Sequence, residues 1–269
     1  MNAQLTYTLM LGLLTVGMLV AALEYVVKAR VFATNGLLSW NVMQIGWGPR
    51  LRSGLAGSVL TRLFTRTGLS LLYLTRIGLL ITALALPGGS AERWLLLVLV
   101  TANVLLTSVV TFYGSDGSDQ MTLILLATFC LCCPPFATAT LLQIGLWFVA
   151  LQSCLSYSVA GVAKLVSAEW RRGTAVYDIF STKTYGSLWA ARFLKQRRWL
   201  NRTLCWTVIL CETLFPLCLF LPEPYALLFL GWGFAFHLLN AIVMGLNSFL
   251  WAFLATYPAI LFVNHSLTT

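Results

Sequence analysis

Residues 156–173 read SYSVAGVAKLVSAEWRRG. An apolar helix runs into Lys164 and then gives way to Trp170, Arg171, Arg172 and Gly173. Tyr157, Gly161 and Lys164 recur at i, i+4 and i+7, which places them along one helical stripe. The small residues Ala160, Gly161 and Ala163 let a second helix or a ligand approach the backbone closely. An ionisable group at the end of such a stripe is the sharpest chemical feature of the chain.

The composition around that stretch sets the fold class. Of the 269 residues, 59% are hydrophobic and 9% charged, with a mean hydropathy of +0.85. Soluble domains carry roughly 25% charged residues, so this chain reads as an integral membrane protein, all-α, with its backbone groups satisfied inside helices. At about 20 apolar residues per span, 269 residues accommodate about eight spans and some interfacial amphipathic helices in one membrane domain covering 1–269. The net charge of +9 comes from 17 Lys+Arg against 8 Asp+Glu. The basic residues cluster in two connections, which points to the lipid bilayer and its anionic headgroups rather than to nucleic acid. The first apolar run lacks a basic leading region and is long enough to span, so it is not read as a cleaved signal.

The predicted spans are roughly 5–27, 68–86, 94–112, 121–133, 137–164, 203–221, 225–246 and 247–263. The fourth is short and stops at Pro134-Pro135. Residues 32–40, FATNGLLSW, read as a turn leading into an interfacial segment, and 55–63 as an amphipathic surface helix. The turn 114–120, GSDGSDQ, offers Asp116 or Ser118 as an N-cap. The second basic connection, 166–202, holds Arg171, Arg172, Lys183, Arg192, Lys195, Arg197, Arg198 and Arg202, with helical spacing over 185–194. The charge rule places both basic connections in the cytoplasm. All seven cysteines lie in apolar runs and read as small buried hydrophobes, although Cys130 and Cys133 have C-x-x-C spacing.

Several polar residues fall inside these spans. Lys164 at a helix end commonly snorkels to headgroups and anchors the helix; held out of water, it becomes a general base. His237 and Asn240 lie three apart, with Met244, Asn247 and Trp251 extending the same face. Both cost free energy in hydrocarbon unless partnered, so they join helices or face a ligand cavity. Glu212 lies mid-span and calls for a counter-ion, Arg76 or Lys164. Arg76 is otherwise a binder of an anionic headgroup. No His/carboxylate pair has metal-ligand spacing.

Two segments together carry a resemblance. AGVAKL-x4-W-x2-G, from Ala160 to Gly173, resembles the AGVxKL-x3-W-x2-G element of the vitamin K-dependent gamma-carboxylases, and HLLN-x14-AxxP, from His237 to Pro258, resembles their second element. Both belong to the membrane core of the HTTM family. The resemblance implies that Lys164 is the base that deprotonates a vitamin K or menaquinone hydroquinone. The chain departs from the carboxylases in two ways. They carry a large lumenal domain after the membrane core, which this sequence does not show, and an Asn-His pair where this chain has Gly117-Ser118-Asp119-Gln120. GSDGSDQ instead resembles the GDGGDQ-type turn of a short bacterial branch similar to sporulation-delaying protein B. That branch implies a multi-pass factor of the cytoplasmic membrane that matures a secreted peptide toxin with a small partner protein. The family's active face is lumenal, which opposes the charge rule and leaves orientation open.

The candidate set is therefore Lys164 and His237 as catalytic residues, with Tyr157, Gly161, Trp170, Asn240, Glu212 and Arg76 as residues that would hold a cofactor. No metal is expected. The competing readings are a quinone-linked carboxylase or epoxidase, and a non-catalytic scaffold whose polar residues only join helices.

Overall fold

The computed structural model describes residues 2–28, 39–46, 54–111, 116–183 and 186–268. Most of the 32–40 turn, and Arg30, Arg50, Arg52, Gly114, Ser115 and Tyr185, lie outside the described residues. Among the described residues every regular element is helical, and the protein is an all-α polytopic membrane protein.

Seven helical stretches are long and apolar enough to cross a bilayer: Ala3–Val27, Arg66–Ala85, Ala91–Ser108, Ala139–Val166, Arg198–Leu219, Glu223–Met244 and Asn247–Thr268. The helix counted in sequence as the fourth of about eight spans, Gly117–Cys132, has 16 residues. At 1.5 Å per residue it is about 24 Å long, shorter than the ~30 Å hydrocarbon core. It is the exception to the eight-span expectation.

The chain divides into two compact units, Met1–Leu13 with Thr138–Thr269, and Leu14–Ala137. The first helix, α1 (Ala3–Val27), contributes its beginning to one and its remainder to the other.

The 14–137 unit contains α2 (Trp40–Met43), α3 (Gly54–Leu63), α4 (Arg66–Ala85), α5 (Ala91–Thr111) and α6 (Gly117–Cys132). Ala22, Trp40, Met43, Phe64, Leu69 and Tyr73 form one buried cluster. Trp40 Nε1 donates to Thr61 Oγ1 at 3.1 Å, and Tyr25 stacks on Tyr73 with ring centroids 4.5 Å apart. Of the two cap candidates for α6, Asp116 is the one used. Its carboxylate accepts from the Ser118 and Asp119 amides at 2.9 and 3.2 Å, and Asp119 Oδ2 accepts from the Asp116 amide in return, a reciprocal capping box. The Cys130 Sγ lies 3.3 Å from Thr101 Oγ1, and all seven cysteines are free thiols.

The other unit is built on α7 (Ala139–Val166), started by the Thr138 hydroxyl accepting from the Leu141 amide at 3.2 Å. Short helices α8 (Ala168–Arg172), α9 (Ala175–Phe180) and α10 (Leu188–Lys195) fill the basic connection. They lead into α11 (Arg198–Leu214) with its 3-10 extension Phe215–Leu219, then α12 (Glu223–Met244), α13 (Asn247–Leu254) and α14 (Tyr257–Thr268). Helix α7 packs against α11, the 3-10 segment and α14.

Helix α8 ends at Gly173, whose φ of 80° suits glycine alone. A Cβ there would also meet Arg202 Cα at 2.6 Å, so this glycine lets the α8 turn lie directly on α11. Gly245, with φ 76°, ends α12. The polar face running from His237 through Met244 to Asn247 and Trp251 is therefore not one helical face: Asn247 and Trp251 sit on α13. The last span is itself broken, since Pro258 in the first turn of α14 can donate no backbone hydrogen bond.

Asn264 caps the end of the 3-10 extension of α11. Its side-chain amide donates to the carbonyls of Cys218 at 2.9 Å and Leu221 at 2.7 Å, with Leu219 at 3.4 Å, and Asn264 is buried. Those carbonyls end a helix and lack the amides of a following turn, so the Asn264 side chain supplies their donor. Asn264→Leu is expected to lower stability by about 1–3 kcal/mol, read as a lower thermal midpoint of the detergent-purified protein with α-helical content unchanged.

Candidate functional site

The site lies in the unit containing α7 and is assembled from α7, α11, α12 and α13. Lys164 Nζ donates to Glu212 Oε2 at 2.6 Å and to the Ala160 carbonyl at 3.4 Å. The Lys164 side chain is 20% exposed and that of Glu212 4%. Sequence left Arg76 and Lys164 as alternative counter-ions for Glu212, and the ion pair forms with Lys164. The Nζ also lies 5.3 Å from the centroid of the Trp170 ring, a cation–π contact from the W-x2-G part of the motif.

The pairing depends on Gly161. A Cβ at that position would meet the Thr213 backbone nitrogen at 2.4 Å and the Glu212 carbonyl carbon at 2.8 Å. The small stripe thus admits another helix, α11, and brings the Glu212 backbone against α7 one turn before Lys164.

His237, 4% exposed, projects from α12 into the same region. Its Nε2 lies 2.8 Å from the Tyr157 hydroxyl, which is in turn 3.2 Å from the Tyr257 hydroxyl. The imidazole stacks on Phe253 at 4.7 Å, and Tyr157 stacks on Phe215 at 3.8 Å, so both rings are fixed in place. The buried His237 Nδ1 has no hydrogen-bond partner among the described residues. If Nε2 accepts from Tyr157, Nδ1 carries the remaining hydrogen; if Nε2 donates, Nδ1 presents a lone pair. Either way one buried ring nitrogen is left without a protein partner among the described residues.

Tyr157, Lys164, Glu212, His237 and Asn240 line one cavity of about 190 Å³. Lys164, Phe236, Asn240 and Leu246 also line a second, apolar groove of about 470 Å³, with Trp170 in its wall. Lys164 and Asn240 thus stand where the two spaces share walls. Of the eight candidates, seven belong to this unit. Gly161 acts by its absence of a side chain, not by lining the cavity.

Arg76 does not join them. It belongs to the 14–137 unit, where it is 7% exposed. Its Nε donates to Asn103 Oδ1 at 2.9 Å, its Nη2 to the Asn103 carbonyl at 3.4 Å and to Thr107 Oγ1, and it stacks over Tyr73. These partners form a neutral polar cluster, in place of the Glu212 counter-ion that was one alternative from sequence.

Sequence reasoning did not single out Tyr257, Phe253 or the Ser153–Thr256 hydroxyl pair, 2.9 Å apart, that ties α7 to the residue before α14. The Ala-x-x-Pro element containing Thr256 and Tyr257 was the available signal. Comparison of the chain with protein-family models, with curated proteins and with solved structures found no match.

Proposed function

We propose that the protein is a factor of the cytoplasmic membrane, of the short HTTM type similar to sporulation-delaying protein B, that matures a secreted peptide together with a small partner protein, with Lys164 as its proton acceptor. The supporting observation is the Lys164–Glu212 pair, set in the wall of a cavity that His237 also lines.

The chemistry follows from desolvation. An isolated charge in this cavity would be costly, but the ion pair and the neutral amine–acid pair carry the same net charge. Moving one proton from Nζ to Glu212 Oε2 therefore frees the amine lone pair without importing charge. The amine then takes a proton from a substrate group lying in the cavity, and Asn240, which lines the same space, orients that group. Tyr157 holds the imidazole through Nε2, while Tyr257 supports Tyr157.

The cofactor class implied by the resemblance, a vitamin K or menaquinone hydroquinone, fits this donor set. Lys164 and Asn240 would hold its ring oxygens. A bound hydroquinone would supply two electrons and an acidic hydroxyl.

Lys164→Gln keeps a hydrogen-bond donor beside Glu212 but removes the basic nitrogen. It is expected to insert at a lowered yield while peptide maturation falls by about 10²–10⁴-fold, measured as processed peptide secreted per unit of membrane-inserted protein. Lys164→Ala removes the nitrogen and the contact together, and the same loss is expected per unit of membrane-inserted protein. Full maturation by a well-expressed variant would leave the scaffold reading standing. Dependence of wild-type activity on added menaquinone would favour the quinone-linked reading.

A further inference from the structure

The 470 Å³ groove is large enough for a drug-sized or lipid-sized apolar body. Its walls come from α9, α10, α11 and α12, and its polar lining residues, Lys164 and Asn240, stand where it adjoins the smaller cavity. Lys164 is already neutralised by Glu212, so that end draws no anion.

The rim is different. Helix α10 buries Ala190, Ala191 and Leu194 and exposes Leu188, Trp189 and Phe193. Trp199 is exposed just beyond it. Exposed tryptophans on a basic amphipathic helix mark the membrane–water boundary. Phe193 lines the groove, and the Arg197 guanidinium stacks over that ring at 4.0 Å while Nη1 donates to the Phe193 carbonyl at 2.9 Å. A cation is thus fixed beside a ring that lines the groove. No carboxylate lies within 4.0 Å of it among the described residues. Over 166–202, eight basic residues face only Glu169 and Asp178, and Glu169 accepts from the Ser167 hydroxyl at 2.7 Å. By helical spacing Lys195 points away from the groove-lining Ala190 and Phe193.

We infer that this groove seats one acyl chain of an anionic glycerophospholipid whose phosphate rests on Arg197. A guanidinium presents its remaining donors to phosphate as a planar fork, and the apolar walls exclude everything polar except the headgroup. The assignment stands on the groove and its rim, independently of proton transfer at Lys164.

The test uses the full-length protein in a neutral detergent, with phosphatidylglycerol and phosphatidylcholine as probes. Native mass spectrometry of the wild type is expected to retain about one phosphatidylglycerol per chain and to prefer it over phosphatidylcholine by about tenfold. Arg197→Glu should lose that preference, and Lys195→Glu should keep it. Leu239→Trp places an indole in the groove at a position 60% exposed, and should expel the lipid with Arg197 intact. Thermal midpoints of the same samples separate lost binding from lost folding. Equal retention of both lipids, identical behaviour of the Arg197 and Lys195 variants, or an isoprenoid quinone recovered in place of phospholipid would overturn the assignment.

Discussion

Glu212→Leu, made with Lys164 in place, is expected to be the most damaging substitution in the chain. It leaves an ammonium in a wall where the carboxylate 2.6 Å away is its only ion-pair partner among the described residues. Removing one member of a buried pair costs about 3–5 kcal/mol, because the remaining charge is uncompensated. The expected readout is a collapse of monodisperse, detergent-extracted protein. Lys164→Met combined with Glu212→Leu should recover most of that yield, since two apolar groups of similar volume no longer require each other. The double variant should nonetheless mature no peptide. Recovery of folding without recovery of maturation separates the pair's chemistry from its contribution to packing. An unaltered yield for Glu212→Leu alone would mean that water reaches the Lys164 ammonium.

Gly161→Ala should rank second. The added methyl would stand 2.4 Å from the Thr213 nitrogen and 2.6 Å from its hydroxyl. The nitrogen belongs to a helix backbone and cannot swing aside, so α7 and α11 must part by about 1 Å to restore ordinary contact. Overpacking of this kind costs about 1–3 kcal/mol. A misplacement of about 1 Å between reacting groups can lower a rate about 10²-fold, and the separation occurs beside the Lys164–Glu212 contact. Maturation should therefore fall further than the thermal midpoint suggests. Gly231→Ala is the control: its Cβ would meet nothing within 4 Å, and both readouts should hold.

Most of the fold was legible because hydrocarbon imposes a coarse rule. A helix that crosses it must be apolar for about 20 residues, and long runs such as Ala139–Val166 satisfy that without regard to neighbours. The boundaries were less legible where capping decides them. Helix α6 begins at Gly117, four residues before its apolar run, because the Asp116 carboxylate caps it. The polar face beyond Gly245 was misjudged because helical periodicity was carried through a residue whose positive φ ends the helix.

The site was legible in part for a related reason. Lys164, Glu212, His237 and Asn240 stand out against apolar neighbours, and the cost of burying each predicts that it has a partner. Which partner is a matter of tertiary packing. Glu212 could equally have met Arg76, and only the close approach at Gly161 decides for Lys164. Tyr257 gives no such signal, since a tyrosine in an aromatic-rich span looks the same whether its hydroxyl supports Tyr157 or faces lipid.

Residues 3–13 bear on how the chain can be cut. They are grouped with 138–269, and the Tyr7 hydroxyl donates to the Leu142 carbonyl at 3.0 Å. A gene bisected between Ala137 and Thr138 therefore yields a carboxy-terminal fragment missing an amino-terminal segment of its own fold. Such a fragment should depend on co-production of the other half, or on a transplanted 1–13 peptide, to survive proteolysis.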